Sequence, residues 1–201
     1  MVIKMTEIYL LRHGETDANK NFIVQGRMDN PINETGIKQA LDTGKYFKDL
    51  DINFDLVISS PLKRAFRTAD LVNHGMVLRR PIMIDKNLIE RNFGDYDGRK
   101  ISDDYYDLTR NGMIPNMETD EVLEDRVCNT LKLIAEKHDG KRLLIVTHSH
   151  VIKALLRKYV EGFTYLTYLH NCSLSKLVFE NGDFKVIEYN INPLIDNEEK
   201  A

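Results

Sequence analysis

The apolar residues of this chain gather in short unbroken runs, separated by stretches in which they recur at helical spacing. Four runs have the length of strands covered on both faces: Ile8-Tyr9-Leu10-Leu11, Leu56-Val57-Ile58, Ile82-Met83-Ile84 and Leu143-Leu144-Ile145-Val146. After the first run comes a polar loop through Pro31. A helix is then predicted over residues 34–50, with Ile37, Leu41, Gly44 and Phe47 on one face and Asn33 as its N-cap. A second helix opens at Ser60-Pro61, serine serving as cap and proline as first helical residue. Residues 87–98 are rich in Asn, Asp and Gly and read as a loop.

A short helix follows Ser102, and a long one spans 120–138 with Leu123, Val127, Leu131, Ile134 and His138 in one stripe. Asp120, Glu121 and Glu124 sit near its positive end, where the helix dipole favours them. A helix over 151–159 succeeds the last of the four runs. Residues 173–179 and 184–189 form a hairpin across Asn181-Gly182-Asp183, and residues 196–201 read as frayed. The alternation predicts an α/β fold: a three-layer αβα sandwich whose mainly parallel sheet carries an antiparallel edge hairpin, in one domain over 1–201.

Ligand sites of such sheets lie outside the carboxyl ends of the strands. That is where the basic and imidazole side chains fall. Arg12-His13 ends the first run, Thr147-His148-Ser149-His150 the last, and Arg64 lies one turn beyond Ser59-Ser60-Pro61. The run at 82–84 leads toward Glu90. Lys63, Arg64 and Arg67 crowd a helix start, where a cation loses about 0.3–1 kcal/mol to the dipole unless an anion is present. Lys63 reads as a solvated cation and Arg64 as a phosphate ligand. His74, His138 and His170 read as surface or internally satisfied histidines.

The bulk numbers narrow the classes. A chain of 201 residues buries roughly 70% of its unfolded surface as one domain. A net charge of −3 offers no general polyanion-binding face, which argues against nucleic acid as a partner. Cys128 and Cys172 show no disulfide or zinc spacing and read as two reduced, half-buried thiols. No run approaches the ~18 apolar residues of a membrane span, and residues 1–11 lack a signal-peptide core, so the expected location is cytoplasmic.

Leu11-Arg12-His13-Gly14-Glu15-Thr16 with Asn19 resembles the signature of the histidine phosphatase superfamily, in the branch containing phosphoglycerate mutases and small phosphatases. The resemblance continues through Gln25-Gly26, Asp29, Pro31, Glu34, Gly36 and Gln39-Ala40, then Ser59-Ser60-Pro61-Leu62-Lys63-Arg64-Ala65 with Thr68-Ala69. It ends with Glu90, Phe93-Gly94, Gly98, Thr147-His148 and Asn171-Cys172-Ser173. It implies a nucleophilic His13, a general acid Glu90, and Arg12, Arg64 and His148 on the non-bridging phosphoryl oxygens. It also implies that Thr16, Asn19, Gln25 and Gly26 surround the phosphate and the rest of the substrate; Ser149, next to His148, is a further candidate substrate contact, and no cofactor or metal is expected.

The chain departs from the family pattern at Ala18 and Arg27, where many relatives carry Trp, and at Ser149-His150, where they carry glycines. Arg27 and His150 either extend the positive pocket or face solvent. The expected activity is hydrolysis of a small phosphorylated metabolite, with residues 87–121 as a lid that sets specificity. Mutase-type phosphoryl transfer is the alternative, because both share the first half-reaction. A metal-dependent phosphoesterase, suggested by His148-Ser149-His150, lacks further ligand spacing at Asp17, Asp55 and Asp85, and a non-catalytic phospholigand binder leaves the complete constellation unexplained. The acidic residues Asp95, Asp97, Asp103 and Asp104 argue against highly phosphorylated substrates near the lid, and Tyr105, Tyr106 and Met113 either line an apolar pocket or pack. Oligomeric state is not legible.

Overall fold

The computed structural model describes residues 5–194. Six strands, β1 (Thr6–Arg12), β2 (Leu56–Ser59), β3 (Ile82–Ile84), β4 (Arg142–Thr147), β5 (Leu174–Glu180) and β6 (Asp183–Ile191), form one sheet in the order β3-β2-β4-β1-β5-β6. The first four are mutually parallel; β5 runs antiparallel to β1, and β6 to β5. The predicted hairpin therefore does close the sheet. Its turn residues Asn181 and Gly182 both have positive φ (55° and 85°), the geometry that matches the twist of paired strands.

The helices are α1 (Asp17–Lys20), α2 (Glu34–Asp49), α3 (Lys63–Gly75), α4 (Tyr105–Arg110), α5 (Asp120–Lys137) and α6 (Ser149–Tyr159). Successive strand residues point to opposite faces, so Ile8, Leu10, Leu143 and Ile145 pack under α5 and α6, while Tyr9, Leu11, Leu144 and Val146 pack under α2 and α3. Three layers result. The stripe of α5 is buried as predicted at Leu123, Val127, Leu131 and Ile134, but His138 lies past the last turn as the C-cap.

Three local readings need correction. The buried face of α2 is Gly36, Ala40, Thr43, Gly44 and Phe47; Ile37 and Leu41 are exposed, one position further round. Small residues face inward because the backbones approach so closely: a Cβ on Gly44 would meet the Gly75 Cα at 2.9 Å. Ser60 does not cap α3, which begins at Lys63 after Leu62 with no side-chain cap from its own segment. Asp29 caps it instead, accepting the Lys63 N–H at 2.7 Å. This carboxylate is an anion at the positive helix end, which weakens the inference that the cations there require a ligand. Finally, Cys172 is fully buried, with its thiol pushed up to about 12 by that burial, so half-burial describes Cys128 alone.

Unpredicted was α1, a single turn closed by a capping box between Thr16 and Asn19. Residues 87–121 are mostly irregular, with 3₁₀ turns at Lys86–Leu88 and Gly94–Tyr96 before α4. They hold a small apolar cluster of their own, in which Phe93, Tyr105 and Ile114 pack on Val24. Among the described residues no helix is long and apolar enough to cross a membrane. The expected frayed tail at 196–201 lies outside the described residues.

Candidate active site

Strand register brings the chemistry to one level. Arg12 pairs with Thr147 and Ser59 with Val146, so His13, His148 and Ser60 follow the three central strands side by side. The ladder extends one step further, the His13 N–H donating to Thr147 O at 3.0 Å and the Ser60 N–H to Val146 O at 3.0 Å. The two imidazole centroids are 5.3 Å apart. The loop after His13 is held against α2: a Cβ on Gly36 would lie 2.2 Å from Glu15 O, so only glycine permits this contact.

A hydrogen bond to a carbonyl sets the tautomer of His13. His13 Nδ1 lies 2.8 Å from Gly14 O, and a carbonyl can only accept, so Nδ1 carries the proton and Nε2 keeps a lone pair. His148 Nε2 lies 2.7 Å from Ser60 Oγ. That oxygen also accepts the Leu62 N–H and keeps both its proton and a second lone pair, so it can face the ring as donor or as acceptor. When it donates, the His148 proton sits on Nδ1, a buried atom with no hydrogen-bond partner among the described residues. Burial, with the Arg64 and Arg12 guanidiniums as the next influence on His13 and Arg64 on His148, holds both rings well below the ordinary imidazole range. Both are therefore neutral at pH 7. His13 offers a lone pair, and His148 offers a proton when Ser60 donates to its Nε2.

Arg64 is wholly buried, its Nη1 and Nη2 donating to Met28 O at 2.6 Å and Gly26 O at 2.7 Å. Burial brings it down to about 10. Arg12 donates through Nη1 to Leu169 O. In both arginines the Nε is buried without a partner among the described residues. Such buried donors are ordinarily satisfied, so three of them at one rim fit an acceptor-rich ligand. Glu90, 4% exposed, is not the surface partner of Arg91 that its sequence context allows. Its Oε1 accepts the Arg91 backbone N–H at 2.8 Å and its Oε2 the His150 N–H at 3.4 Å. Burial raises its carboxyl above the usual range, opposed by the Arg91 N–H and the Arg64 charge.

A cavity of about 710 Å³ opens over this rim, and its wall includes Arg12, His13, Asn19, Gln25, Glu90 and Ser149. Arg64 and His148 are outside that lining, the His148 ring 5.3 Å from that of His13. Thr16 is scaffold: its hydroxyl accepts from Gln25 Nε2 at 2.6 Å and from the Asn19 N–H. Gly26 is turned away from the cavity, with its N–H on Asp97 Oδ1 at 2.6 Å and its carbonyl on Arg64. His150 joins the wall, stacked on Tyr165 with centroids 5.3 Å apart, whereas Arg27 is exposed and outside it. The acids Asp95, Asp97, Asp103 and Asp104 also lie outside, which removes the sequence argument against further negative charge on a substrate. Tyr105 and Tyr106 line the cavity; Met113 is exposed elsewhere.

Sequence reasoning missed Ser60, Arg91, Lys153 and Tyr165. Lys153 had left a signal, a lysine inside the apolar run Val151-Ile152-Lys153-Ala154-Leu155.

Comparison with known proteins gives the family and the fold. The model of the histidine phosphatase superfamily (branch 1) matches residues 8–192. An uncharacterised phosphatase of Bacillus subtilis, PhoE, is 40% identical over 94% of this chain and 96% of its own length. A probable phosphoglycerate mutase of Salmonella choleraesuis is 29% identical over 90% of this chain and 88% of its own. The crystal structure of a phosphoglycerate mutase from Bacillus anthracis superposes with a TM-score of 0.84 at 24% identity, covering 98% of each chain.

Proposed function

The chain belongs to the histidine phosphatase superfamily, and from that membership we propose a phosphomonoesterase that hydrolyses a small phosphorylated metabolite through a phosphohistidine at His13. One observation carries the reading: the lone pair of His13 Nε2 and the carboxyl of Glu90, raised by its burial, belong to the wall of the same cavity. His13 Nε2 attacks phosphorus in line while Glu90 gives its proton to the leaving alcohol oxygen. The Glu90 carboxylate then takes a proton from water, whose oxygen attacks the phosphohistidine, restoring Nε2 and releasing inorganic phosphate. Arg12 Nε, Arg64 Nε and His148 Nδ1–H donate to the non-bridging oxygens where charge concentrates. Asn19, Gln25 and Ser149 contact the ester, with Thr16 and Gly26 holding Gln25 and Arg64 in place.

Rapid quenching with ³²P-labelled substrate tests this. Acid-labile label on His13, absent together with turnover in His13→Ala, is the expected result; turnover by His13→Ala overturns it. The mutase-named relative supports a second reading, phosphoryl transfer between positions of a phosphoglycerate. Incubation with 3-phosphoglycerate separates the two, since hydrolysis yields glycerate and phosphate whereas transfer primed by a bisphosphate yields the 2-isomer. Retained activity in a chelator is expected of the histidine chemistry.

A further inference from the structure

Gly14 packs so closely on the start of α2 that a Cβ there would meet Gly36 O at 2.6 Å, so the residue after His13 has to be glycine. Glycine is also the residue whose backbone turns most freely, and the peptide after it carries the carbonyl that receives His13 Nδ1–H at 2.8 Å. Something must hold that peptide still. Its other end is the Glu15 N–H, which donates to Gln39 Oε1 of α2 at 2.8 Å. The peptide is planar and trans, with N–H and C=O on opposite sides, so fixing one end aims the other. A donor N–H needs an acceptor, which assigns the oxygen of the Gln39 amide to this contact and not its nitrogen. The adjacent peptides are tied by other groups, the Gly14 N–H donating to Thr68 Oγ1 at 3.0 Å and the Thr16 N–H to Asn19 Oδ1 at 3.2 Å. Neither of those peptides carries the carbonyl that the imidazole uses. Gln39 itself is absent from the cavity wall.

We propose that Gln39 is a positioning residue for the nucleophile: through the 14–15 peptide it keeps the His13 proton on Nδ1 and the lone pair on Nε2. This rests on the phosphatase reading, in which Nε2 attacks phosphorus. With the peptide released, Nδ1–H loses its acceptor and the proton can pass to Nε2. The ring then presents an N–H to phosphorus and has no lone pair there with which to attack. Hydrogen bonds in a chain also polarise one another, so the Glu15 N–H bond to Gln39 makes Gly14 O the better acceptor for the imidazole. A purely structural role, tying α2 to the loop, is already filled by Asn33, the N-cap of α2. Its N–H donates to Glu15 O and its Nδ2 to Glu15 Oε1, each at 2.9 Å, and both bonds bypass the Gly14 carbonyl. Loss of the Gln39 acceptor therefore leaves the loop docked and acts on the peptide.

Long-range ¹H–¹⁵N correlation spectra of the histidine rings report which nitrogen carries the proton, with no substrate present; the signals of His13 are those missing from His13→Ala. The wild-type protein is expected to show His13 as the Nδ1–H tautomer alone, and Gln39→Met to show Nε2–H or a mixture. Gln39→Glu, whose carboxylate accepts the same N–H, is expected to restore the wild-type pattern. In turnover of p-nitrophenyl phosphate, Gln39→Met should lower kcat roughly tenfold with KM changing by less than about twofold, and Gln39→Glu should recover most of that loss. A pure Nδ1–H tautomer in Gln39→Met overturns the proposal, as does a Gln39→Glu that behaves like Gln39→Met, or a loss confined to KM. The wild-type spectrum guards against a variant that fails to fold, since Nε2–H on His13 in the intact protein overturns the proposal by itself. Gln39→Ala, a substitution that favours the helix, repeats the comparison. The expected spectra without hydrolysis of any phosphoester by the wild-type protein sink the phosphatase reading and leave the hold of Gln39 on the tautomer standing.

Discussion

A proton's position on each of three side chains decides whether this rim can transfer a phosphoryl group. In the proposed mechanism His13 acts when neutral, and burial together with two guanidiniums keeps it neutral to well below the ordinary imidazole range. Glu90 there acts when protonated, and burial raises its carboxyl above the ordinary carboxylate range. Activity is therefore expected to be bounded on the acid side by His13 and on the alkaline side by Glu90. Replacing Glu90 by Gln is expected to remove the alkaline limb from the pH profile of kcat/KM. The same variant should lower turnover of alkyl phosphates by about 10²–10⁴-fold while sparing p-nitrophenyl phosphate, whose leaving group needs no proton. Equal losses on both substrates would deny Glu90 its proposed part. In the proposed mechanism Ser60 donates to His148 Nε2 and so keeps the ring proton on Nδ1, and Ser60→Ala releases that choice. One hydrogen bond of about 1–1.5 kcal/mol corresponds to roughly a tenfold fall in kcat, measured with KM changing less. His13, His148 and Glu90 were legible because each stands beside a recognisable strand end or motif. Ser60 was read as a helix cap, because the bond it makes joins residues 88 positions apart and no local pattern encodes it.

At the level of elements, the segment carrying Glu90 has no regular structure to hold it, and a helix of another part of the chain takes over that task. Arg126 of α5 donates through Nη1 to Asn87 O at 2.6 Å and Ile89 O at 2.9 Å. Its Nε and Nη2 meet the two oxygens of Glu118 at 2.8 and 2.9 Å. Glu118 in turn accepts the Asn92 N–H at 3.1 Å and, through its carbonyl, Arg91 Nε at 2.9 Å. Glu90 is thus clamped from both sides in sequence. Arg126→Met leaves Glu118, 6% exposed at its side chain, without its cation, at a cost of about 3 kcal/mol in urea denaturation. As a positioning residue it should also shift the alkaline limb of the activity profile, which a purely structural loss would leave in place; Arg126→Lys should restore part of that shift. The sequence hid this role, since Arg126 follows two acids, Glu124-Asp125, and stands beside no strand end or motif. The α2 stripe misled in the opposite sense. Ile37 and Leu41 carry the stronger hydrophobic signal, but small residues win the interior where two helices touch backbone to backbone.

The whole molecule accommodates this site by burying groups that prefer water, and its stability should record that as a function of pH. His13, His148 and His150 are neutral in the fold and become cationic on unfolding whenever the pH is below the ordinary 6.5. The unfolded chain then binds more protons. Stability is accordingly full above pH 6.5 and declines as the pH falls toward the lowered values, by up to about 4.1 kcal/mol per pH unit for three protons at 1.36 each. Glu90 acts in the other direction. Its raised value means that above pH 4.5 the fold retains a proton that the unfolded chain has lost, which cancels one of the three and leaves about 2.7 kcal/mol per unit while that proton stays. Urea denaturation between pH 5 and 6.5 should give the shallower slope for the wild-type protein and the steeper one for Glu90→Gln. Identical slopes in the two would mean that Glu90 is already ionised in the fold over this range, and a general acid lacking its proton at pH 5 cannot serve the hydrolysis at neutral pH.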